Sequence, residues 1–110
     1  MRRRTTWDAD TRLFLSRFLR AVDQTDLAGH STALLLYLSG QPGGRADYSN
    51  AASELKLNKG QMDRAVTVLD EMNLVIRVGS PADARRKQLQ VTEAGEDVIG
   101  KIHEYAKLTK

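Results

Sequence analysis

The residues best equipped for chemistry in this chain are cationic. Arg85, Arg86 and Lys87 stand in a row, two positions after Asp83, between two short stretches rich in β-branched or alternating apolar residues. A basic triplet carried on the tip of a strand pair is suited to attracting phosphate, in a way that salt weakens. The formal net charge of +3 agrees with an anionic partner but does not single one out. A second basic run, Arg2 to Arg4, opens the chain and reads as a frayed terminus, not as part of a site.

Catalytic and metal chemistry have little to work with. The glycines from Gly40 to Gly44 come without the lysine and the serine or threonine that a phosphate-binding loop requires, and no nucleophile elbow is present. His30 and His103 lie far apart and lack the spacing of a metal site. The chain has no cysteine, which removes disulfides and thiolate ligands and suits a reducing compartment. No enzyme, metal or cofactor is therefore expected. No stretch approaches the ~20 apolar residues of a membrane span, and no apolar run follows the charged start as in a secretory signal. A soluble, cytoplasmic protein without membrane partners is expected.

The elements that must position these cations follow from periodicity. With 110 residues and 41% hydrophobic content, the chain suits one domain over 1–110 with one core. From 8 to 22, Phe14, Leu15, Phe18, Leu19 and Val22 recur at helical spacing, on an apolar arc of about 160° that asks for a second partner surface. Ser31 to Leu38 is almost solidly apolar after its start and reads as a short buried helix capped by Ser31, with a buried strand as the alternative. Residues 39–45 read as a loop.

Ser49 to Leu55 is a brief helix started by Ser49 or Asn50. Asn58 and Gln61 then form a capping-box pair, opening a helix over about 59–72 with Met62, Ala65, Val66, Leu69 and Met72 inward. After Asn73, a good helix terminator, Leu74 to Val78 reads as a strand. Residues 79–85 are a loop, and Lys87 to Val91 alternates as a half-buried strand does. Thr92 opens a last helix, with Glu93 and Glu96 in its positive first turn and Val98, Ile99, Ile102, Tyr105 and Ala106 on one face.

The expected fold is mainly α with a small β-hairpin wing, an α+β winged helix-turn-helix. Such a module grips two grooves of DNA, one with a helix and one with the hairpin. Within it, Ala52-Ser53-Glu54-Leu55-Lys56-Leu57-Asn58, Met62-Asp63-Arg64-Ala65-Val66 and Leu69-Asp70-Glu71-Met72-Asn73-Leu74-Val75 resemble the MarR (multiple-antibiotic-resistance regulator) family. More specific is the wing, Pro81-Ala82-Asp83-Ala84-Arg85 followed by Val91-Thr92-Glu93-Ala94-Gly95, which is similar to that family's Asp-x-Arg wing and Leu-Thr-x-x-Gly helix start. The resemblance covers the 45 residues from 51 to 95, and the flanks only by pattern.

This resemblance implies a sequence-specific transcriptional regulator, a repressor, acting on double-stranded DNA as a homodimer. The recognition helix of about 59–72 enters the major groove, and the wing of about 79–87 reaches the minor groove. Gln61 and Arg64 then face base edges and phosphates, Arg85 enters the minor groove, and Asp83 braces Arg85 or the wing backbone. Lys59 and Ser49 contact the backbone, and Arg86 and Lys87 add nonspecific attraction. A small-molecule effector is a further partner that the resemblance implies. Dimerisation falls to Phe14, Leu15, Phe18, Leu19 and Val22 with Val98, Ile102 and Tyr105. Since 15 residues follow Gly95, the last helix is short for the family and the wide arc of the first helix is expected to compensate.

Two departures matter. Gly60 is a weak helix former in the first turn of the recognition helix, and Asp63 puts a negative charge near the DNA face. That acid either accepts from a cytosine amine or repels phosphate. The rival reading is a winged helix used for protein interaction, or as a plasmid, phage or chromosome accessory factor, because fold alone does not set function. The basic wing together with Arg64 favours DNA.

Overall fold

The computed structural model describes residues 29–79 and 87–106, together with helical residues 13, 16–20 and 22 near the start. Helix α1 runs Gly29–Ser39. It resolves the helix-or-strand ambiguity in favour of a helix with Leu34, Leu35 and Leu38 fully buried. Ser31 is not its cap. It lies two residues inside the helix and is buried, because the helix starts earlier, at Gly29.

The stretch read as a loop holds more structure than expected. A 3-10 turn at Pro42–Gly44, with Gly43 and Gly44 at φ of 68° and 66°, reverses the chain. It delivers strand β1, Arg45–Asp47. Three residues are too few to show any periodicity, so only pairing with a distant strand defines β1. Helix α2, Tyr48–Leu55, starts one residue earlier than the serine expected to open it. It ends at Lys56, which adopts the left-handed conformation at φ 56° and lets the Leu57 amide donate to the Ala52 carbonyl at 2.9 Å.

Helix α3, Lys59–Glu71, begins with the capping box read from the sequence. The Gln61 amide donates to Asn58 Oδ1 at 2.8 Å, and the Asn58 amide donates to Gln61 Oε1 at 3.0 Å. Met62, Ala65, Val66 and Leu69 are buried on one face. Met72, expected to join them, is 38% exposed, since it sits past the last helical residue where the stripe no longer faces inward. Asn73 closes the helix at φ 61°, and the Leu74 amide reaches back to the Leu69 carbonyl at 2.8 Å.

Strands β2, Val75–Gly79, and β3, Lys87–Val91, form the hairpin arms. The sheet is antiparallel with order β1-β3-β2, pairing Ala46 with Leu89 and Arg77 with Leu89 from opposite sides. The expected two-stranded hairpin is thus a three-stranded sheet. Helix α4 spans Glu93–Ala106. Thr92 caps it as expected, accepting from the Gly95 amide at 3.0 Å while its hydroxyl donates to the Asn73 carbonyl at 2.7 Å.

One core joins these pieces: leucines of α1, the inner face of α3, and Leu74, Val75, Leu89 and Val91. Each fully buried aliphatic side chain contributes about 1.5–3 kcal/mol, so this cluster carries most of the fold's stability. A smaller cluster packs Ile102 and Val98 of α4 against Phe18 of the N-terminal helix.

Candidate nucleic-acid interface

Burial of Met62, Ala65, Val66 and Leu69 forces the opposite side of α3 outward. Gly60, Asp63, Arg64 and Thr67 are all exposed and, at spacings of three and four, share that side. Between this helix and the β2–β3 arms lies an open cleft of about 630 Å³. Its walls bring Ser49 of α2, Lys59 of α3 and Lys87 of β3 into one place. These three were singled out from sequence, and the fold gathers them from three separate elements.

The cleft also holds Arg77 of β2, which sequence reasoning passed over. Arg77 is a lone arginine in an apolar run, and the alternation of β2 puts it on the same side as buried Val75. It is exposed because that part of the strand extends past the core. A charged residue at an inward-phased position of a strand was the signal available. Three cations therefore line one groove.

Two acids are held inside this positive surface. Asp47, 8% exposed, ends β1 and accepts from Gln88 Nε2 at 2.9 Å through Oδ1 and from Asn50 Nδ2 at 3.4 Å through Oδ2. Its bonds tie the β3 arm, which carries Lys87 one residue before Gln88, to the first turn of α2. Asp63 accepts from the Tyr48 hydroxyl and lies 3.2 Å from Lys59 Nζ. The Tyr48 hydrogen bond, and then Lys59, hold its carboxyl below the ordinary value of 3.8.

Burial, and then the hydrogen bond to Asp63, push the Tyr48 phenol up to about 12. The contact is thus complete at neutral pH. The contribution of Tyr48 to stability is present below the ordinary value of 10.0 and is lost as the pH rises towards about 12. That of Asp63 is present above 3.8 and is lost as the pH falls through its lower folded value. Ultraviolet titration should show Tyr48 ionising near 12, and Asp63→Asn should bring it partway back towards 10.0. A phenol unmoved by Asp63→Asn would show that the two do not interact.

The other expected site residues are placed differently. Arg64 is exposed on the outward side of α3, next to the cleft's wall. Gln61 is half-buried with its carboxamide oxygen engaged in the cap. It can offer only its NH₂ to a base without undoing the box, so the expected base-reading role conflicts with its structural one. Asp83, Arg85 and Arg86 lie outside the described residues.

Among the dimerisation residues, Phe14, Leu15 and the Tyr105 side chain also lie outside them. Ile102 is 1% exposed and packs on Phe18 within the same chain, so it closes the fold and is no free interface residue. Val98 and Phe18 belong to the same contact, and Val22 is half-buried. Of the expected set Leu19, 67% exposed, remains an outward apolar side chain, and Leu13, 51% exposed and not among those expected, is outward too.

No family model matches the chain. A curated relative, the HTH-type transcriptional regulator BilQ of Clostridioides difficile (strain CD3), is 30% identical over 54 residues, 49% of this chain. The match spans 36% of that relative, about a third of its length. Transcriptional regulator Tm0710 from Thermotoga maritima superposes with a TM-score of 0.78 at 20% identity, over 88% of this chain and 67% of its own. An S. aureus MepR mutant bound to an oligodeoxyribonucleotide gives 0.76 at 18% identity, over 90% and 72%. The repressor CouR bound to a 23-mer DNA duplex gives 0.72 at 24% identity, over 90% and 68%, and CouR from Rhodococcus jostii RHA1 has also been solved with p-coumaroyl-CoA. The fold is that of MarR-family winged-helix regulators.

Proposed function

We propose that this chain is a transcriptional regulator of the MarR type, a repressor that binds double-stranded DNA sequence-specifically as a homodimer. One observation carries the reading: Lys59, Arg77 and Lys87 converge on a single groove beside the exposed side of α3 that presents Arg64. Cations along a cleft flanking a helix that fits the major groove are what phosphate positioning requires, while base edges are read from the helix itself. The DNA-bound MepR and CouR, with the same fold, support it.

Within this reading the chain forms one winged-helix unit. Ser49, Lys59, Arg77 and Lys87 hold phosphates, Arg64 reads bases, Arg85 enters the minor groove with Asp83 bracing it or the wing backbone, and Arg86 adds nonspecific attraction. The outward Leu13 and Leu19 of the N-terminal helix, large apolar side chains left exposed, contribute to the contact with a second copy. An effector that releases DNA belongs to the same reading, supported by the complex of CouR with p-coumaroyl-CoA. The protein is a binder and not a catalyst, and it works in the cytoplasm at the nucleoid.

The test is fluorescence anisotropy against the DNA upstream of its own gene and a scrambled duplex, over a range of salt. Selective binding to the upstream duplex is the expected result. Equal, salt-sensitive binding to both would make it an architectural factor. No binding to either would move the fold to protein interaction.

A further inference from the structure

We infer that Asp63 is a specificity-determining residue that reads a cytosine in the major groove, with Tyr48 as the residue that positions it. The inference rests on the DNA-binding reading and deepens it. Asp63 stands on the outward side of α3 in line with Gly60 and Thr67, and its side chain is 50% exposed. Its two oxygens have different partners. Oδ1 accepts from the Tyr48 hydroxyl, which comes from the other helix of the pair, and Oδ2 faces Lys59 Nζ at 3.2 Å.

These partners differ in how easily they leave. Lys59 is 89% exposed and one turn away on the same helix, and exposed pairs of this kind are weak. A DNA phosphate competes readily for its ammonium. The Tyr48 bond comes from the first residue of α2, a helix that shares its core with α3, so it can hold the carboxylate's aim while Oδ2 becomes available. The phenol is a neutral donor, and the acid therefore keeps its charge. Lys59 and Arg77 around it offset the repulsion that a bare acid would exert on phosphates.

An oriented carboxylate only accepts, and this narrows the base. In the major groove guanine shows two acceptors and thymine an acceptor and a methyl group, so both reject it. Adenine offers its N6 amine, but the N7 acceptor beside that amine repels a carboxylate. Cytosine offers the N4 amine with no acceptor next to it on that edge. Asp63 thus selects C at one position of each half-site.

The test is selection from a randomised duplex library, comparing the native chain with Asp63→Asn, Asp63→Ala and Tyr48→Phe. The native profile should favour C by about tenfold at one half-site position. Asp63→Asn should move that preference to A, because an amide can pair with both N6 and N7 of adenine. Asp63→Ala should flatten it, and Tyr48→Phe should weaken it there and nowhere else. A selective native profile that Asp63→Asn and Asp63→Ala leave unchanged would overturn the role of Asp63 alone. An unchanged profile in Tyr48→Phe, beside an altered one in Asp63→Asn, would remove Tyr48 from it. A native profile with no base preference at all would sink the DNA-regulator reading and this one together.

Discussion

Gly95→Ala should destabilise the protein by about 2–3 kcal/mol, at the upper end of what overpacking a close-packed site costs. A Cβ at Gly95 would overlap the Leu74 carbonyl oxygen, stand 2.7 Å from Val91 Cγ1 and come within 3.3 Å of Leu35 Cδ1. Leu35 could adjust, but the carbonyl cannot: it accepts the Thr92 amide at 3.0 Å and lies where the chain leaves α3 for β2. The first turn of α4 therefore crosses the sheet's edge with only a hydrogen atom to spare. Against a total of roughly 5–15 kcal/mol this loss is large, and chemical denaturation reads it as a lower midpoint at unchanged slope. A midpoint equal to that of the native chain would mean that α4 sits further from β2 and β3 than described.

The second large effect concerns charge. The triple variant Lys59→Ala, Arg77→Ala, Lys87→Ala should lower the slope of log affinity against log salt by about 3, since each phosphate contact releases close to one counterion. At 0.1 M salt the same arithmetic predicts a roughly several-hundred-fold weaker complex, on specific and nonspecific duplexes alike. All three side chains line one cleft and leave the core untouched, so thermal stability should change little. A slope that falls by less than one would show that the cleft faces away from DNA, and would point to Arg64 with the wing as the whole of the contact. Single variants at the three positions should each lower the slope by about 0.9, because phosphate contacts act nearly independently.

Most of the helical architecture was legible because its signals are local. The Asn58–Gln61 box, the Asn73 terminator and the Thr92 cap act within about a turn of chain, and each appears in the structure, the box and the Thr92 cap with their hydrogen bonds and Asn73 at φ 61°. The stripe of α3 was equally plain, since a 3.6-residue period over 13 residues repeats several times. Where the signal was short or ambiguous, the reading slipped. Ser31 looked like a cap but is interior, because α1 begins at a glycine with no polar marker. Strand β1 was invisible in three residues that owe their conformation to Gln88, Leu89 and Gln90.

The site divides along the same line. Ser49, Lys59 and Lys87 were expected because their elements were legible, and the fold places them along one cleft. Arg77 was not, since its one signal, a charge in phase with Val75 in an apolar strand, is a single residue and does not say which groove it lines. Gln61 was expected both to cap and to read bases, and the structure shows its carboxamide oxygen capping, which leaves only its NH₂ for a base. Ile102 was assigned to a partner copy, because periodicity shows that a side chain is apolar but not what covers it. Here Phe18 of the same chain does.

What the sequence determined alone, then, is the order of the helices and of the two hairpin strands, and the caps that open α3 and α4. Those follow from hydrogen bonds and periodicities that close within a turn or two of chain. Only the tertiary structure decided which charges act together. Tyr48 meets Asp63 across 15 positions, and Asp47 meets Gln88 across 41. The physical reason is that each such contact depends on helices and strands docking on one shared core, and docking geometry leaves no mark in the spacing of the residues that it brings together.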